Sequence, residues 1–286
     1  MVTLFQKFNH FHATLQNIYT EPEATEISEM VFQELIGLDK MQLRNEKDRL
    51  LLLEQVKQID SILSRLLKHE PIQYILGFAW FMNHRYTVNH HVLIPRPETE
   101  ELVDWVIKEN NADSNYLDIG TGSGCIAIEI KNKYKSALVQ AVDISAEAIQ
   151  TAKANSNKIL GKNDIKFMQA DALLLHDFKY SWSNSDVIVS NPPYIPLAEK
   201  DVLNKNVTDN EPYLALFVPD EDYLIFYKAI AAFAKHNLPS QGKVYFEIHE
   251  KMKNELTKVF SALGLDNIEF KKDIYGKDRM LRLSLN

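Results

Sequence analysis

The stretch YLDIGTGSG, residues 116–124, decides the fold of this chain. Its first four residues, Tyr116–Ile119, form a short, mostly apolar run that is typical of a buried strand. Three glycines at every second position then allow a sharp turn into a helix, which the apolar-rich residues 125–130 predict. A ligand can approach such a turn closely, with the N–H groups of the helix beyond it. The stretch therefore predicts a strand–turn–helix unit of an α/β sheet that binds a nucleotide-like cofactor.

The spacing of the glycines narrows the choice of cofactor. The loop is G-x-G-x-G, whereas dinucleotide enzymes carry G-x-G-x-x-G, and it lacks the Lys-Ser/Thr pair of a P-loop. These differences count against NAD and ATP.

Acidic residues end the next two predicted strands. Residues 138–142 form the second strand, and Asp143, roughly 20 positions after the glycine loop, can accept hydrogen bonds from both ribose hydroxyls. An N-cap role for Asp143 is the alternative, although Ser145 can cap the following helix, residues 146–160. Asp171 follows the third strand and is placed to accept a hydrogen bond from an adenine amino group. The alternative is an acidic loop residue with no ligand role, since acids are common at strand ends.

The fourth predicted strand, residues 187–189, runs into Ser-Asn-Pro-Pro-Tyr, residues 190–194. Open α/β sheets place their chemistry at this end of a strand. The prolines lack N–H groups, and Pro192 keeps Asn191 extended. The acceptors that remain are the side-chain carbonyl of Asn191 and the backbone carbonyls of Asn191 and Pro192, beside the ring of Tyr194. Such a loop can hold both hydrogens of a planar NH2 group, although a proline-rich turn without a ligand is the alternative for so short a motif.

Composition limits the classes of partner. The 286 residues are 45% hydrophobic and 25% charged, with a formal net charge of −7, and residues 1–90 hold nine Lys or Arg against eleven Asp or Glu. This charge balance disfavours a surface that binds the phosphate backbone of nucleic acid. Cys125 is the sole cysteine and the histidines are irregularly spaced, so we expect no disulfide and no metal site. We find no membrane-spanning run in the sequence and expect a cytoplasmic protein.

The remaining patterns predict the organisation of the chain. Residues 1–67 carry helical apolar stripes, and residues 70–97 switch to aromatic and β-branched residues around a turn, which predicts a hairpin. We expect a helix at residues 100–108 with Thr99 as its N-cap, and an irregular lid or substrate wall at residues 195–219. Arg96, Glu98 and Glu100 are either solvated or face a substrate.

Several motifs in this order resemble one known family. They are the Ile-Pro-Arg-Pro-Glu-Thr-Glu of residues 94–100, the loop of residues 118–124, Asp143, Asn-Pro-Pro-Tyr at residues 191–194, and Asp-Ile-Tyr-Gly-Lys-Asp-Arg at residues 273–279. Together they resemble the bacterial release factor glutamine methyltransferases, the PrmC/HemK family. The resemblance implies a class I S-adenosylmethionine-dependent enzyme that methylates N5 of the glutamine in the Gly-Gly-Gln motif of class 1 peptide chain release factors.

The resemblance also implies an architecture. We expect a Rossmann-like α/β sheet of seven strands with the last antiparallel, and a small N-terminal helical bundle joined to it by a β-hairpin. The expected domains are a partner-binding helical domain at residues 1–75, the hairpin linker at residues 76–95 and the methyltransferase domain at residues 96–286.

Site residues follow from the motifs and the resemblance together. The expected cofactor contacts are Gly120, Thr121, Gly122, Ser123, Gly124, Asp143, Asp171, Ala172 and Asn191. The expected catalytic residues are Asn191, Pro192 and Tyr194, and the expected substrate contacts are Asn191, Pro192, Pro193 and Tyr194. The chain departs from the family at Ala172, where relatives often have an aromatic residue that packs on adenine, so Leu173 is a candidate replacement. It departs again at His249, where relatives tend to have glycine.

Two rival functions remain to be separated. Asn-Pro-Pro-Tyr would also suit a methyltransferase for adenine N6, cytosine N4 or guanine N2 in nucleic acid, but such an enzyme needs a basic groove that residues 1–90 do not supply. A non-catalytic cofactor-binding protein is the second rival, and the intact glycine and acceptor loops count against it.

Overall fold

The structure is a computed structural model that describes residues 2–162, 164–175 and 185–285. The chain divides into two compact units. The first comprises residues 1–77 with 204–210, and the second comprises residues 78–203 with 211–286. In the part of the chain that the structure describes, no helix is long and apolar enough to cross a membrane.

The helices and strands have the following bounds in the described residues. The helices are α1 Leu4–Leu15, α2 Glu21–Ile36, α3 Lys40–Asn45, α4 Leu53–Leu66, α5 Ile72–Leu76, α6 Pro97–Glu109, α7 Cys125–Lys133, α8 Ala146–Leu160, α9 Lys205–Thr208, α10 Tyr213–Leu216, α11 Ile225–Asn237 and α12 Lys253–Ala262. The strands are β1 Phe78–Phe81, β2 His84–Thr87, β3 Tyr116–Ile119, β4 Val139–Asp143, β5 Ile165–Gln169, β6 Val187–Ser190, β7 Ile195–Pro196, β8 Phe217–Val218, β9 Lys243–Glu247, β10 Ile268–Lys272 and β11 Asp278–Ser284.

The first unit is helical, as the apolar stripes predict. Helix α1 begins at a capping box, in which the Thr3 side chain accepts from the backbone N–H of Gln6 and the Gln6 side chain accepts from the backbone N–H of Thr3. Its apolar stripe packs against α2 through edge-to-face contact of Phe11 with Phe32, whose ring centroids lie 5.6 Å apart.

Residues 49–51 lie in the segment whose apolar stripes predict helix, but they are not helical. The backbone N–H of Leu4 donates to Arg49 (2.8 Å) and that of Leu51 donates to Val2 (3.1 Å), so residues 49–51 pair with the N-terminal segment and α4 begins only at Leu53. Helix α5 lies outside the segment that the apolar stripes predict as helical, because so short a helix has too few turns to show a periodic stripe.

Seven strands of the second unit form one sheet in the order β10-β11-β9-β6-β3-β4-β5. Strand β11 is antiparallel to both of its neighbours, and the pairs from β9 to β5 are parallel. The predicted fold class, an α/β sheet of seven strands with the last antiparallel, is confirmed. Because β3 and β6 are adjacent, with Ile119 opposite Ser190, the glycine loop and the acceptor loop leave the sheet side by side.

The hairpin formed by β1 and β2 lies in the second unit. Its two turn residues, Met82 and Asn83, have positive φ values of 45° and 67°, as a tight hairpin turn requires. The fully buried side chain of Asn155 ties this hairpin to the glycine loop. It accepts from the backbone N–H of Thr87 (2.7 Å) and donates to the carbonyls of Thr87 (3.0 Å) and Ser123 (2.9 Å).

Two further predictions are corrected by the structure. Thr99 is not the N-cap of α6, because the helix starts at Pro97 with Arg96 as its cap, which places Thr99 in the first turn with its side chain buried. The segment of residues 195–219 is not wholly irregular, since β7 and β8 pair in parallel within it.

Candidate active site

A cavity of about 490 Å³ opens at the carboxyl ends of the parallel strands. Four strand ends line it, at residues 119–123, 142–145, 170–173 and 190–193, together with residues 90–93, 95, 96, 99, 125, 126, 212–215, 226 and 230. Its volume suits a ligand of cofactor size with a small substrate group beside it. The cavity therefore brings together the predicted glycine loop, both predicted acids and the acceptor loop.

The glycine loop keeps its shape through backbone conformations that suit glycine. Gly120 and Gly122 have φ values of 77° and 53°, and both line the cavity. Below them, the buried carboxylate of Asp118 accepts from the Thr121 hydroxyl (2.6 Å) and the Ala127 N–H (3.2 Å). Burial raises the pKa of Asp118 to about 7, because its charge lies in a low-dielectric environment.

Gly124 differs from the other residues of the loop in its surroundings. It caps α7 at a φ of 84° and is not among the described residues that line the cavity. A Cβ atom at this position would lie 3.0 Å from the Cβ of Ala152 and 3.0 Å from Cδ1 of Ile128. The structure therefore assigns Gly124 to close packing of helix α7 on α8, and its predicted contact with a cofactor stays a prediction.

Asp143 lines the cavity at the end of β4. Its carboxylate accepts from the backbone N–H groups of Gly122 (2.8 Å) and Ser145 (3.0 Å), and burial raises its pKa. Ser145 caps α8 by accepting from the Ala148 N–H (3.0 Å), so the alternative reading of Asp143 as the N-cap is wrong. Asp143 fixes the shape of the glycine loop from the neighbouring strand.

The third strand end supplies an acid and two apolar residues. Asp171 accepts from the backbone N–H of Leu173 (2.8 Å) and opens a short 3₁₀ turn. Ala172 and Leu173 both line the cavity, so Leu173 is available where the family often has an aromatic residue. The contacts of Asp171 and Ala172 with a cofactor stay predictions.

The acceptor loop sits directly against the glycine loop. The Ser190 hydroxyl donates to the carbonyl of Ile119 (2.7 Å), and the Asn191 carbonyl oxygen lies 3.9 Å from where a Cβ of Gly120 would be. Asn191, Pro192 and Pro193 all line the cavity. A hydrogen-bond acceptor set thus stands beside the proposed cofactor loop.

Tyr194 takes a different position from the other three residues of this loop. It is not among the described residues that line the cavity. Its hydroxyl donates to Oε1 of Glu247 (3.2 Å), and its ring meets that of His249 at 6.1 Å with an interplanar angle of 66°. Burial raises the pKa of Tyr194 far above the usual value for tyrosine, so the hydroxyl stays a donor. The predicted catalytic and substrate contact of its ring stays a prediction.

Sequence reasoning missed the contacts that two residues make with this loop: Thr99, which itself lines the cavity, and Glu247, which is not among the described lining residues. The Thr99 hydroxyl donates to Oε2 of Glu247 (2.6 Å), and Nδ2 of Asn191 donates to the Thr99 oxygen (3.2 Å). The available signal was that Glu247 ends a strand, as Asp143 does. A partner 148 residues away in sequence gives no local pattern for Thr99.

A second buried carboxylate, Glu211, directly precedes residues 212–215, which line the cavity. It accepts from the backbone N–H of Ile94 (3.2 Å) and pairs with the guanidinium of Arg96. This ion pair joins two of the loops that line the cavity. The sequence leaves both a solvated and a substrate-side position open for Arg96. In the structure Arg96 lines the cavity, and Glu211 compensates its charge.

Comparison with known proteins gives the class and then the family. Residues 99–214 match the model of the methyltransferase small domain, and residues 6–77 match the PrmC N-terminal domain. The fold is thus that of a class I methyltransferase, whose methyl donor is S-adenosylmethionine. Release factor glutamine methyltransferases from Flavobacterium psychrophilum and Bacteroides thetaiotaomicron are each 40% identical to this chain, over 96% and 95% of it and 96% of each relative. The chain belongs to the release factor glutamine methyltransferase family.

Solved structures agree with this fold at a greater distance. The human METTL16 catalytic domain, crystallised with a MAT2A 3′UTR hairpin, is 17% identical with a TM-score of 0.54 and covers 81% of both chains. A human methyltransferase 10 domain containing protein is also 17% identical, with a TM-score of 0.51 over 71% of this chain and 88% of that one. These likenesses show the fold alone.

Proposed function

We propose that this protein transfers a methyl group from S-adenosylmethionine to N5 of the glutamine in the Gly-Gly-Gln motif of class 1 peptide chain release factors. The observation that carries the proposal is the position of Asn191, Pro192 and Pro193 in the wall of the cavity, beside the glycine loop. The names of the relatives from Flavobacterium and Bacteroides support the same substrate.

The acceptor loop suits a carboxamide because it offers acceptors and few donors. Neither proline has an N–H group, and Nδ2 of Asn191 is engaged by Thr99, which leaves Oδ1 as the side-chain acceptor. We propose that Oδ1 of Asn191 and the backbone carbonyl of Pro192 accept the two N–H hydrogens of the substrate amide. Two bonds in the amide plane fix the direction in which the nitrogen lone pair points.

The reaction depends on alignment rather than on a strong base. When bound, S-adenosylmethionine supplies an electrophilic methyl group on a sulfonium. An amide nitrogen is a weak nucleophile because its lone pair is delocalised into the carbonyl. A loop that aligns this lone pair with the methyl group therefore stabilises the transition state more than the bound substrate. The nitrogen becomes acidic as it gains the methyl group, and its proton can leave late to water.

We assign the cofactor to the strand ends beside this loop. Gly120, Thr121, Gly122 and Ser123 provide backbone that a ligand can approach closely, and Asp143 offers a carboxylate toward ribose hydroxyls. Asp171, Ala172 and Leu173 form the wall proposed for the adenine.

The first unit is the proposed partner-binding module. The negative balance of residues 1–90 fits a protein partner better than a phosphate backbone, so we expect no direct binding of nucleic acid. A release factor acts in translation, and a cytoplasmic location follows from that substrate.

The experiment is mass spectrometry of a release factor after incubation with this protein and labelled S-adenosylmethionine. We expect a gain of one methyl group on the Gly-Gly-Gln glutamine. The Asn191→Ala variant should lower turnover about 100-fold, because a misaligned reactant loses rate on that order. Asn267→Ala, at an exposed asparagine, is the matched control and should keep wild-type turnover.

Two results would contradict the proposal. Methyl transfer to DNA or RNA with none to the release factor would favour the nucleic-acid base as substrate. Near-normal turnover of Asn191→Ala would show that the loop does not aim the amide.

A further inference from the structure

We infer that Thr99 and Glu247 are positioning residues that decide which end of the Asn191 carboxamide faces the cavity. The inference rests on the proposed function, since it explains how the loop presents an acceptor to an NH2 group. Neither residue needs to touch the substrate for this role.

Three side chains form a continuous chain of hydrogen bonds behind the acceptor loop. Glu247 ends β9 and Thr99 lies in the first turn of α6, with exposed fractions of only 2% and 3%. The Thr99 hydroxyl is 2.6 Å from Oε2 of Glu247, and Nδ2 of Asn191 is 3.2 Å from the Thr99 oxygen. The chain therefore runs from a buried carboxylate to the wall of the cavity.

The donors and acceptors in this chain allow one direction only. While Glu247 is ionised, as at the pH 8 of the test below, its carboxylate only accepts, so the single hydroxyl proton of Thr99 must point to Glu247. The Thr99 oxygen can then only accept, and Asn191 must offer its NH2 end. The opposite end of the same carboxamide, Oδ1, is left as the acceptor for a ligand.

Other contacts hold Glu247 in place. Its Oε1 accepts from the Tyr194 hydroxyl (3.2 Å), and its backbone carbonyl accepts from the Tyr227 hydroxyl (2.9 Å). Burial raises the pKa of Glu247, while the Thr99 hydrogen bond and the nearby Arg279 oppose that rise. A buried carboxylate with one fixed geometry is a costly arrangement for stability alone, which is why a role in orienting its neighbours is the better account.

Loss of the Thr99 hydroxyl would remove the reason for this orientation. The Asn191 carboxamide could then turn by half a rotation and place its NH2 group where the substrate NH2 must be received. Two donors would face each other, and the substrate amide would lose one of its two proposed acceptors.

The test compares Thr99→Val, which keeps the shape, with Thr99→Ser, which keeps the hydroxyl. At pH 8, we expect Thr99→Val to lower kcat for the release factor roughly 10-fold to 100-fold, with the Kd for S-adenosylmethionine within about twofold of wild type. Thr99→Ser should restore kcat to within a few-fold. Thr151→Val is the control, because Thr151 is also buried and its hydroxyl is also a relay, which donates to the carbonyl of Glu147 (3.0 Å) and accepts from Nδ2 of Asn89 (3.1 Å). In the described residues it makes no hydrogen bond to Asn191.

A double-mutant cycle separates positioning from a general structural effect. If Thr99 acts through Asn191, Thr99→Val should cost less than about twofold in kcat when Asn191 is already alanine. Glu247→Gln keeps the volume of the side chain and is a second probe. We expect it to lower kcat less than Thr99→Val does, and to leave kcat unchanged when Asn191 is already alanine. Equal losses in both backgrounds, or a loss no larger than that of Thr151→Val, would overturn the inference.

A spectroscopic measurement makes the inference independent of the substrate. The side-chain amide NMR signals of Asn191, assigned by their absence in Asn191→Ala, should shift in Thr99→Val and stay near wild type in Thr99→Ser. If wild type fails to methylate the release factor while these signals shift as expected, the proposed function is wrong and the positioning stands. Signals that do not respond to Thr99→Val would refute the positioning itself.

Discussion

Replacing Asp118 with asparagine should change how the free energy of unfolding depends on pH. Asp118 is only 1% exposed in β3, and within the described part of the chain its Oδ1 atom has no hydrogen-bond partner. Burial raises the pKa of this carboxyl to about 7 in the folded protein. The folded state therefore favours the protonated acid, whereas the unfolded chain ionises at the ordinary value of about 4.

The sign and size of the effect follow from these two values. Below about pH 4 the carboxyl is protonated in both states, and its contribution to stability is fully present. As the pH rises toward 7, the unfolded chain loses its proton first, and the folded protein loses ~1.4 kcal/mol of stability per pH unit. Between pH 5 and pH 8 this amounts to roughly 3 kcal/mol, with little further change above pH 8.

Urea denaturation of wild type and Asp118→Asn, without cofactor, at several values between pH 5 and pH 8 isolates this contribution. Groups that do not interact with Asp118 titrate equally in both proteins, so the difference in the free energy of unfolding reports Asp118 together with its coupling to Asp143. We expect the variant to gain roughly 3 kcal/mol relative to wild type across this range, on top of a constant offset for placing an amide there. Asp113→Asn, at an exposed aspartate, should show a flat difference. A flat difference for Asp118→Asn as well would refute the reasoning.

Three further outcomes can be measured. Gly124→Ala should lower the free energy of unfolding by about 1–3 kcal/mol in urea denaturation, since its Cβ would crowd Ala152 at a positive φ; unchanged stability would contradict the packing role. Tyr194→Phe should lower kcat for the release factor by less than about tenfold, because only the hydrogen bond to Glu247 is lost and the ring remains; a loss as large as that of the acceptor-loop variant would speak against it. Asp143→Asn should raise the Kd for S-adenosylmethionine about tenfold in calorimetry, since a charge-assisted acceptor is worth ~1–3 kcal/mol, and an unchanged Kd would remove it from the proposed site.

Local patterns predict the parts of the site that lie at the ends of strands. The glycine loop, Asp143 and Asn191 could be placed because parallel strands bring their carboxyl ends to one edge. The spacing of residues is enough to find them, and the structure puts all three at the same cavity.

Residues whose role depends on distant partners could not be placed in this way. Thr99 looks like a helix cap in sequence, yet the helix starts earlier and its hydroxyl meets Glu247 instead. Tyr194 is the last residue of the acceptor-loop motif, but its hydroxyl donates to the same carboxylate, and Tyr194 is not among the described residues that line the cavity. Residues 49–51 carry a helical stripe but pair with the N-terminal segment, because a tertiary partner outweighs a weak local preference.

The single amide of Asn155 has a consequence for engineering of this enzyme. One buried side chain bonds to residues 87 and 123, so the hairpin and the glycine loop share a common anchor. A chimera that takes its hairpin from another enzyme would loosen the glycine loop, unless the residue at position 155 were exchanged together with the hairpin.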